Sequence, residues 1–327
     1  MSTLRIAVAG AGSIGCFVGG LLRDAGFDVR LLGRARVINA VAQDGLRLTD
    51  FDGLSLEVGG ITGSDDPETA LAGADLVLVC VKSGDTEAMG RLIAAHAPDA
   101  QVISLQNGVD NAALLRAGLP GSDVRAAMVP FNVVSHGPGE YHRATSGDIL
   151  VEAGPLPDLS CAHLTWQAVD NIEAIQWGKL LINLGNAVNA LADMPLLEQL
   201  LDRAWRRLLA DQMTEALRIL RVVGIKPVKT TAAPPNIIPH ILRLPTPLFR
   251  VVAASMLTID AQARLSMWDD LKQGRKTEID ALQGAILDLA ERHGRQAPLN
   301  ARMRSLVRAA EDAGRGPPGL TPRDIRS

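Results

Sequence analysis

Aromatic residues make up only 3% of this 327-residue chain, and its charges nearly cancel, leaving a formal net charge of −3. A nucleic-acid binder needs a basic footprint, and a single-strand binder needs stacking platforms as well; the composition offers neither. Cysteine is equally scarce. Cys16, Cys80 and Cys161 are odd in number, far apart and set in apolar surroundings, which indicates buried thiols in a reducing compartment rather than a disulfide framework. The six histidines (His96, His136, His142, His163, His240, His293) are scattered without HExxH or CxxC spacing, so no metal site is expected. No apolar run is long enough and polar-free enough to span a bilayer, and a cytoplasmic location follows by default. What the chain has is 47% hydrophobic against 21% charged residues, a globular balance, and length for two domains with a substantial core.

Glycine is where the sequence is richest in meaning. Ile6–Gly15, IAVAGAGSIG, reads as an apolar strand running into Gly10-x-Gly12-x-x-Gly15 and then an apolar helix, the context a dinucleotide-binding turn requires. Gly10 permits the tight turn, Gly12 lets backbone approach a pyrophosphate, and Gly15 lets helix and strand pack closely. The first-turn amides, from Ser13 and Ile14 onward, face the phosphate charge. A signal peptide is a poor competing reading, because five glycines interrupt the apolar run to Leu22. A serine nucleophile elbow at Ser13 comes too early, with no strands before it. Asp28–Leu32 reads as the second strand. Beyond it, where an NAD enzyme places an acid for the ribose hydroxyl, stand Arg34 and Arg36. Arginine there accommodates a 2′-phosphate by charge-assisted hydrogen bonds, so the reading is NADPH/NADP+; a solvated surface arginine is the competing one.

Short strands are expected around Leu46–Leu48 and Leu54–Val58. The runs Asp75–Val81 and Gln101–Leu105 read as parallel strands covered on both faces, with a helix near Thr86–Ala95 between them. The alternation is that of a doubly wound α/β sheet. Ligands in such sheets sit beyond the carboxyl ends of the strands, which singles out Lys82 and Asn107, although Asn107-Gly108 is also an ordinary turn pair. Val124–Val134 and Ile149–Glu152 are expected to extend the sheet antiparallel, around a turn at His136–Gly139, and Asp158–Val169 to be helical. From Trp177 the pattern is all helical: a long amphipathic stretch Leu196–Val223, an irregular Pro227–Pro247, helices over Thr277–His293 and Leu299–Ala313, and a frayed, proline-bearing tail. The expected division is 1–172, 173–313 and 314–327.

Two clusters carry candidate chemistry. WGKLLINLGNAVNAL, Trp177–Leu191, places Lys179, Asn183 and Asn186 at i, i+4 and i+7, one polar stripe on an apolar helix. Such a stripe is costly unless it faces water, a partner or a ligand. In SMWDDLKQGRKTEID, Ser266–Asp280, Thr277 and Asp280 have capping-box spacing and Glu278 sits in the following first turn.

Taken together, Arg34, VCVKSGDT around Lys82, QNG at Asn107, WGKLLIN and SMWDDLKQGRKTEID resemble the ketopantoate reductase (2-dehydropantoate 2-reductase) family, over Arg5 to about Leu306. The resemblance implies a Rossmann-type doubly wound sheet followed by an all-α C-terminal domain. It also implies NADPH-dependent reduction of a small 2-keto acid, ketopantoate in pantothenate synthesis, in a cleft between the two domains. Lys179 matches the family's catalytic lysine and Glu278 its acidic partner. Asn183 and Ser266 match substrate-binding positions, Asn107 the asparagine near nicotinamide and substrate, and Lys82 the lysine at the cofactor. The helical domain of relatives often packs across subunits, which leaves a homodimer open. The family commonly has a second asparagine four residues after the first. Here that position is Ala187, with Asn186 one place earlier and about 100° around the helix. A reductase of another 2-keto acid or an opine-like substrate is the sibling expectation, and a non-catalytic NADP(H)-binding sensor the one from another class.

Overall fold

In the computed structural model, which describes residues 4–327 apart from the side chains of Ser255 and Met256, the chain divides into two compact units, Met1–Glu173 and Ala174–Ser327.

The first unit is built on an eight-stranded sheet. Its strands are β1 (Arg5–Ala9), β2 (Asp28–Leu32), β5 (Thr62–Ser64), β6 (Leu76–Val79), β7 (Gln101–Ser104), β8 (Val124–Met128), β11 (Ile149–Glu152) and β12 (Trp166–Val169). They lie in the order β12-β11-β8-β7-β6-β1-β2-β5. Every neighbouring pair from β8 to β5 is parallel, and only β11 against β8 runs antiparallel. Period-two alternation divides the side chains between two cores. Ile6, Val8, Leu76 and Leu78 join one with Phe17, Val18 and Leu21 of α1 (Ser13–Asp24); Ala7, Ala9, Val77 and Val79 join the other with Met89 and Ile93 further along the chain. A parallel strand covered on both faces must be apolar at every position, and β6, LVLV, is buried throughout.

A second sheet, ordered β4-β3-β10-β9, packs Leu46, Leu48 and Tyr141 into the α1 side. It consists of β3 (Leu46–Asp50), β4 (Ser55–Val58), β9 (Val133–Gly137) and β10 (Glu140–Arg143). This corrects the expectation of one strand over Val124–Val134. β8 ends at Met128, Pro130 cannot donate to a ladder, and the chain resumes at Val133 in the other sheet. Nor is Asp158–Val169 helical. Residues 166–169 pair parallel to β11, Ile149 opposite Trp166, because edge pairing suits Trp and Val better than an unsupported short helix.

Helices of the first unit are α1, α2 (Ala35–Asp44), α3 (Pro67–Leu71), α4 (Thr86–His96) and α5 (Asn111–Gly118). α6 (Ile172–Asn183) opens just before the division, and the second unit continues with α7 (Gly185–Ala192), α8 (Leu196–Leu201), α9 (Arg203–Val222), α10 (Ile238–Arg243), α11 (Thr246–Val252), α12 (Ser266–Lys272), α13 (Ala285–Arg292), α14 (Pro298–Ala313) and α15 (Pro322–Arg326). The expected single helix over Leu196–Val223 is two, since Asp202 caps a new one, its Oδ1 accepting from the Ala204 amide at 2.6 Å. The proline-rich stretch contributes α10, whose end is held by Arg206. This guanidinium, only 1% exposed, donates to the carbonyls of Leu200, Leu242 and Leu244 and lies 4.2 Å over the Phe249 ring. The tail does not fray. Leu320 donates to the Leu191 carbonyl at 2.8 Å, Thr321 and Asp324 form a capping box, and Ile325 is fully buried.

Candidate active site

In the first unit the chain leaves β1 through Gly10, whose φ of +121° is open to glycine and strained for other residues. A Cβ on Gly10 would stand 2.7 Å from the Val81 nitrogen, and one on Gly15 2.1 Å from the Gly10 carbonyl oxygen. Both positions are therefore closed to side chains for reasons internal to the fold. At Gly12 nothing lies within 4 Å of where a Cβ would sit. That glycine leaves open space over the helix start rather than relieving a clash. As N-cap of α1 it supplies no side-chain cap, and the first turn carries no acidic residue. A helix start left uncapped, open and free of negative charge suits an anion, and the residues present fit the pyrophosphate of a dinucleotide. Arg34 stands in extended conformation at the N-cap position of α2, just past β2, makes no side-chain cap bond and is exposed, as is Arg36.

Beyond the carboxyl ends of β6 and β7 lie half-buried Lys82 and Asn107. Beneath them is a polar network that the sequence reading missed. The Asn107 carbonyl accepts from Ser83 Oγ at 2.9 Å and from Asn111 Nδ2 at 2.6 Å. Gln106 Nε2 donates to the Thr86 hydroxyl at 2.7 Å, which lies 2.8 Å from Asn111 Oδ1. Thr86, Gln106 and Asn111 are all buried. Buried side chains bonded to one another in this way fix a loop rather than follow it, and they hold the Asn107 carbonyl and the carbonyls of Val81 and Ser83 on either side of Lys82. The available signal was the density of Ser, Thr, Gln and Asn directly after two apolar strands.

In the second unit Lys179 and Asn183 are half-buried on α6. The expected continuous helix is interrupted at Leu184, and Asn186 belongs to α7. Asn183 and Asn186 are thus on two helices, and Ala187 is fully buried in apolar packing. The more consequential amide on α7 is Asn189, which the sequence reading did not select. Fully buried, it accepts from the Leu265 amide at 3.0 Å through Oδ1 and donates to Met194 O and Gln199 Oε1. Leu265 is the N-cap of α12, so Asn189 fixes the place where exposed Ser266 begins that helix.

Glu278 is half-buried at a bend before a π-helical turn, Asp280–Gly284. The expected capping box is absent. Thr277 Oγ1 accepts from the Ile279 amide at 3.2 Å, while Asp280 turns to Arg304 and Arg308 at 2.6 and 2.8 Å. Two arginines offer a carboxylate more than one backbone amide does. Glu311 of α14 accepts from the Thr277 amide at 2.7 Å and from Lys276 at 3.2 Å, which anchors the segment ahead of Glu278.

Burial pulls the Lys179 ammonium down to about 8, and the Glu278 carboxylate opposes that fall. A lysine so placed gives up and regains a proton near neutrality.

A doubly wound sheet with an open glycine turn, followed by helices carrying such a lysine, is the build of a nicotinamide-dependent oxidoreductase. The family model for ketopantoate reductase PanE/ApbA matches residues 6–155, and that for its C-terminal part matches 171–311. The chain belongs to this family. It is 29% identical to the 2-dehydropantoate 2-reductase of Halobacterium salinarum, over 95% of this chain and all of the relative. Among solved structures, it matches a PanE/ApbA family ketopantoate reductase from Ralstonia eutropha JMP134 with a TM-score of 0.81 at 30% identity, covering 95% of this chain and 99% of the other. A ternary structure of D-mandelate dehydrogenase with NADH and anilino(oxo)acetate shares the fold at a TM-score of 0.77 and 23% identity, with 95% and 99% covered.

Proposed function

We propose that the protein reduces a 2-keto acid with NADPH, and that the substrate is 2-dehydropantoate (ketopantoate), converted to pantoate. The observation that carries this reading is Lys179, an ammonium that burial brings to about 8 and Glu278 keeps from falling further, on the helix that also bears Asn183. Family membership and the 2-dehydropantoate 2-reductases it is related to support the substrate; exposed Arg34 beyond β2 supports the phosphorylated cofactor.

The roles follow from the chemistry. When bound, the reduced nicotinamide supplies a hydride to the carbonyl carbon. Gly10, Gly12 and Gly15, with the amides of Ser13 and Ile14, hold the pyrophosphate; Arg34 holds the 2′-phosphate, and Lys82 adds positive charge at the cofactor. Lys179 donates its proton to the substrate carbonyl oxygen and stabilises the charge that develops there. Glu278 holds the substrate hydroxyl and keeps Lys179 protonated. Asn183, Asn186 and Ser266 bind the substrate, with Asn107 near its reacting end.

The test is NADPH oxidation with ketopantoate against pyruvate, 2-ketoisovalerate and 2-ketobutyrate, repeated with NADH. A kcat/KM for ketopantoate below that for the other acids removes the substrate assignment. Wild-type activity in Lys179→Ala removes the mechanism.

A further inference from the structure

The second unit ties its two polar clusters together at one buried point. Gln283, with no exposed surface, donates through Nε2 to the carbonyl of Leu184 at 3.2 Å. Leu184 is the junction at which α6 gives way to α7, one residue after Asn183 and five after Lys179. Gln283 is five residues after Glu278, inside the π turn Asp280–Gly284. A side chain bonded at an interruption of a helical ladder holds that interruption in place, and a π turn is a local departure that neighbouring structure must support.

The arrangement is expensive. Gln283 Oε1 is buried and has no protein partner among the described residues. A leucine or methionine of similar volume would fill the space without burying an amide, so packing does not explain one here. Other polar anchors of the segment point to α14: Lys276 and the Thr277 amide to Glu311, and Asp280 to Arg304 and Arg308. Gln283 joins the same segment to the helix of Lys179.

We infer that Gln283 is a positioning residue for the reaction proposed above, its amide fixing the turn behind Glu278 against the α6–α7 junction and thereby setting Glu278 relative to Lys179. It touches no reacting atom. Its effect runs through Glu278, whose charge supports the ammonium.

The inference rests on the proposed reaction for its meaning, and its test does not need that reaction. Lysines of the full chain are reductively methylated with 13C-formaldehyde and titrated by NMR, with Lys179→Arg identifying the Lys179 signal. The wild-type midpoint is expected near 8. Gln283→Met, nearly isosteric without the donor, is expected to lower it by about half a unit or more, because Glu278 no longer supports the charge. Gln283→Asn, too short to reach Leu184, shifts it in the same direction and covers the case in which the methionine variant does not fold. Ile286→Val, a buried packing change one turn on, lowers stability and leaves the midpoint in place. In turnover, Gln283→Met loses about tenfold or more in kcat with KM changed less than about threefold. An unmoved Lys179 midpoint in both Gln283 variants, or a shift matched by Ile286→Val, overturns the inference. A wild type that oxidises no NADPH with any 2-keto acid overturns the reaction instead, and the titration still decides Gln283.

Discussion

The Glu278 carboxylate raises the affinity of the Lys179 ammonium for its proton, against a burial that lowers it to about 8. Reduction needs that proton on the enzyme. Activity in the reductive direction is therefore expected to hold below about pH 8 and decline above it, while the reverse oxidation rises over the same range. Glu278→Gln removes the opposing charge, so the midpoint moves down from about 8 and the reductive rate at pH 7 falls about tenfold or more. Initial rates in both directions across pH 6–10 check this. A reductive midpoint that stays in place or rises in Glu278→Gln contradicts it.

Two glycines of one turn are expected to fail in different ways. At Gly12, in ordinary extended conformation with nothing within 4 Å, Gly12→Ala leaves urea stability within about 0.5 kcal/mol of wild type. It nevertheless weakens NADPH binding, since the methyl occupies the space over the start of α1. At Gly15 the new Cβ would stand 2.1 Å from the Gly10 carbonyl, so Gly15→Ala costs about 1–3 kcal/mol of stability whatever ligand is added. Urea melts beside a fluorescence titration with NADPH separate the two. Unimpaired NADPH binding in Gly12→Ala would mean that the open space is not the phosphate site.

Arg34 sets the third expectation. A charge-assisted contact to the 2′-phosphate is worth about 1.5–3 kcal/mol, so Arg34→Ala should raise the KM for NADPH about 10- to 100-fold while that for NADH stays nearly constant. Because Arg34 is exposed, stability should not change. Equal losses with both cofactors would place the 2′-phosphate elsewhere.

How much of this was legible in the chain can be read from particular residues. The glycine turn was plain, because strand, turn and helix follow one another within twenty residues and Gly10 and Gly15 each answer a local demand. Parallel β6 and β7 were plain as well, since burial on both faces leaves an unbroken apolar run. The strand at Trp166–Val169 and the split of Val124–Val134 were not, as both depend on which distant edge a short segment finds to pair with. In the second unit the motifs around Lys179 and Glu278 stood out, but the break at Leu184 did not. The side chain bonded at that break, Gln283, lies 99 residues away in sequence. Asn189 was passed over for the same reason: its partner Leu265 is 76 residues on, and no local period announces the bond.

The last fourteen residues test a related point, because three prolines and three glycines at a chain end read as a frayed tail and the structure docks them. Leu320 bonds to the Leu191 carbonyl at the end of α7, Arg326 reaches Asp211 of α9 at 2.5 Å, and Ile325 has no exposed surface. Burying one isoleucine is worth about 1.5–3 kcal/mol, and the exposed ion pair adds at most about 1. Truncation after Arg315 is thus expected to lower stability by about 2–4 kcal/mol in urea, and Ile325→Ala alone by most of that. Arg326→Ala should cost under about 1 kcal/mol and less at high salt, since its partner is a half-exposed carboxylate. If Ile325→Ala melts with wild-type midpoint and slope, the tail's docking contributes nothing, and α7 is held by its contacts with α12 and α14 instead.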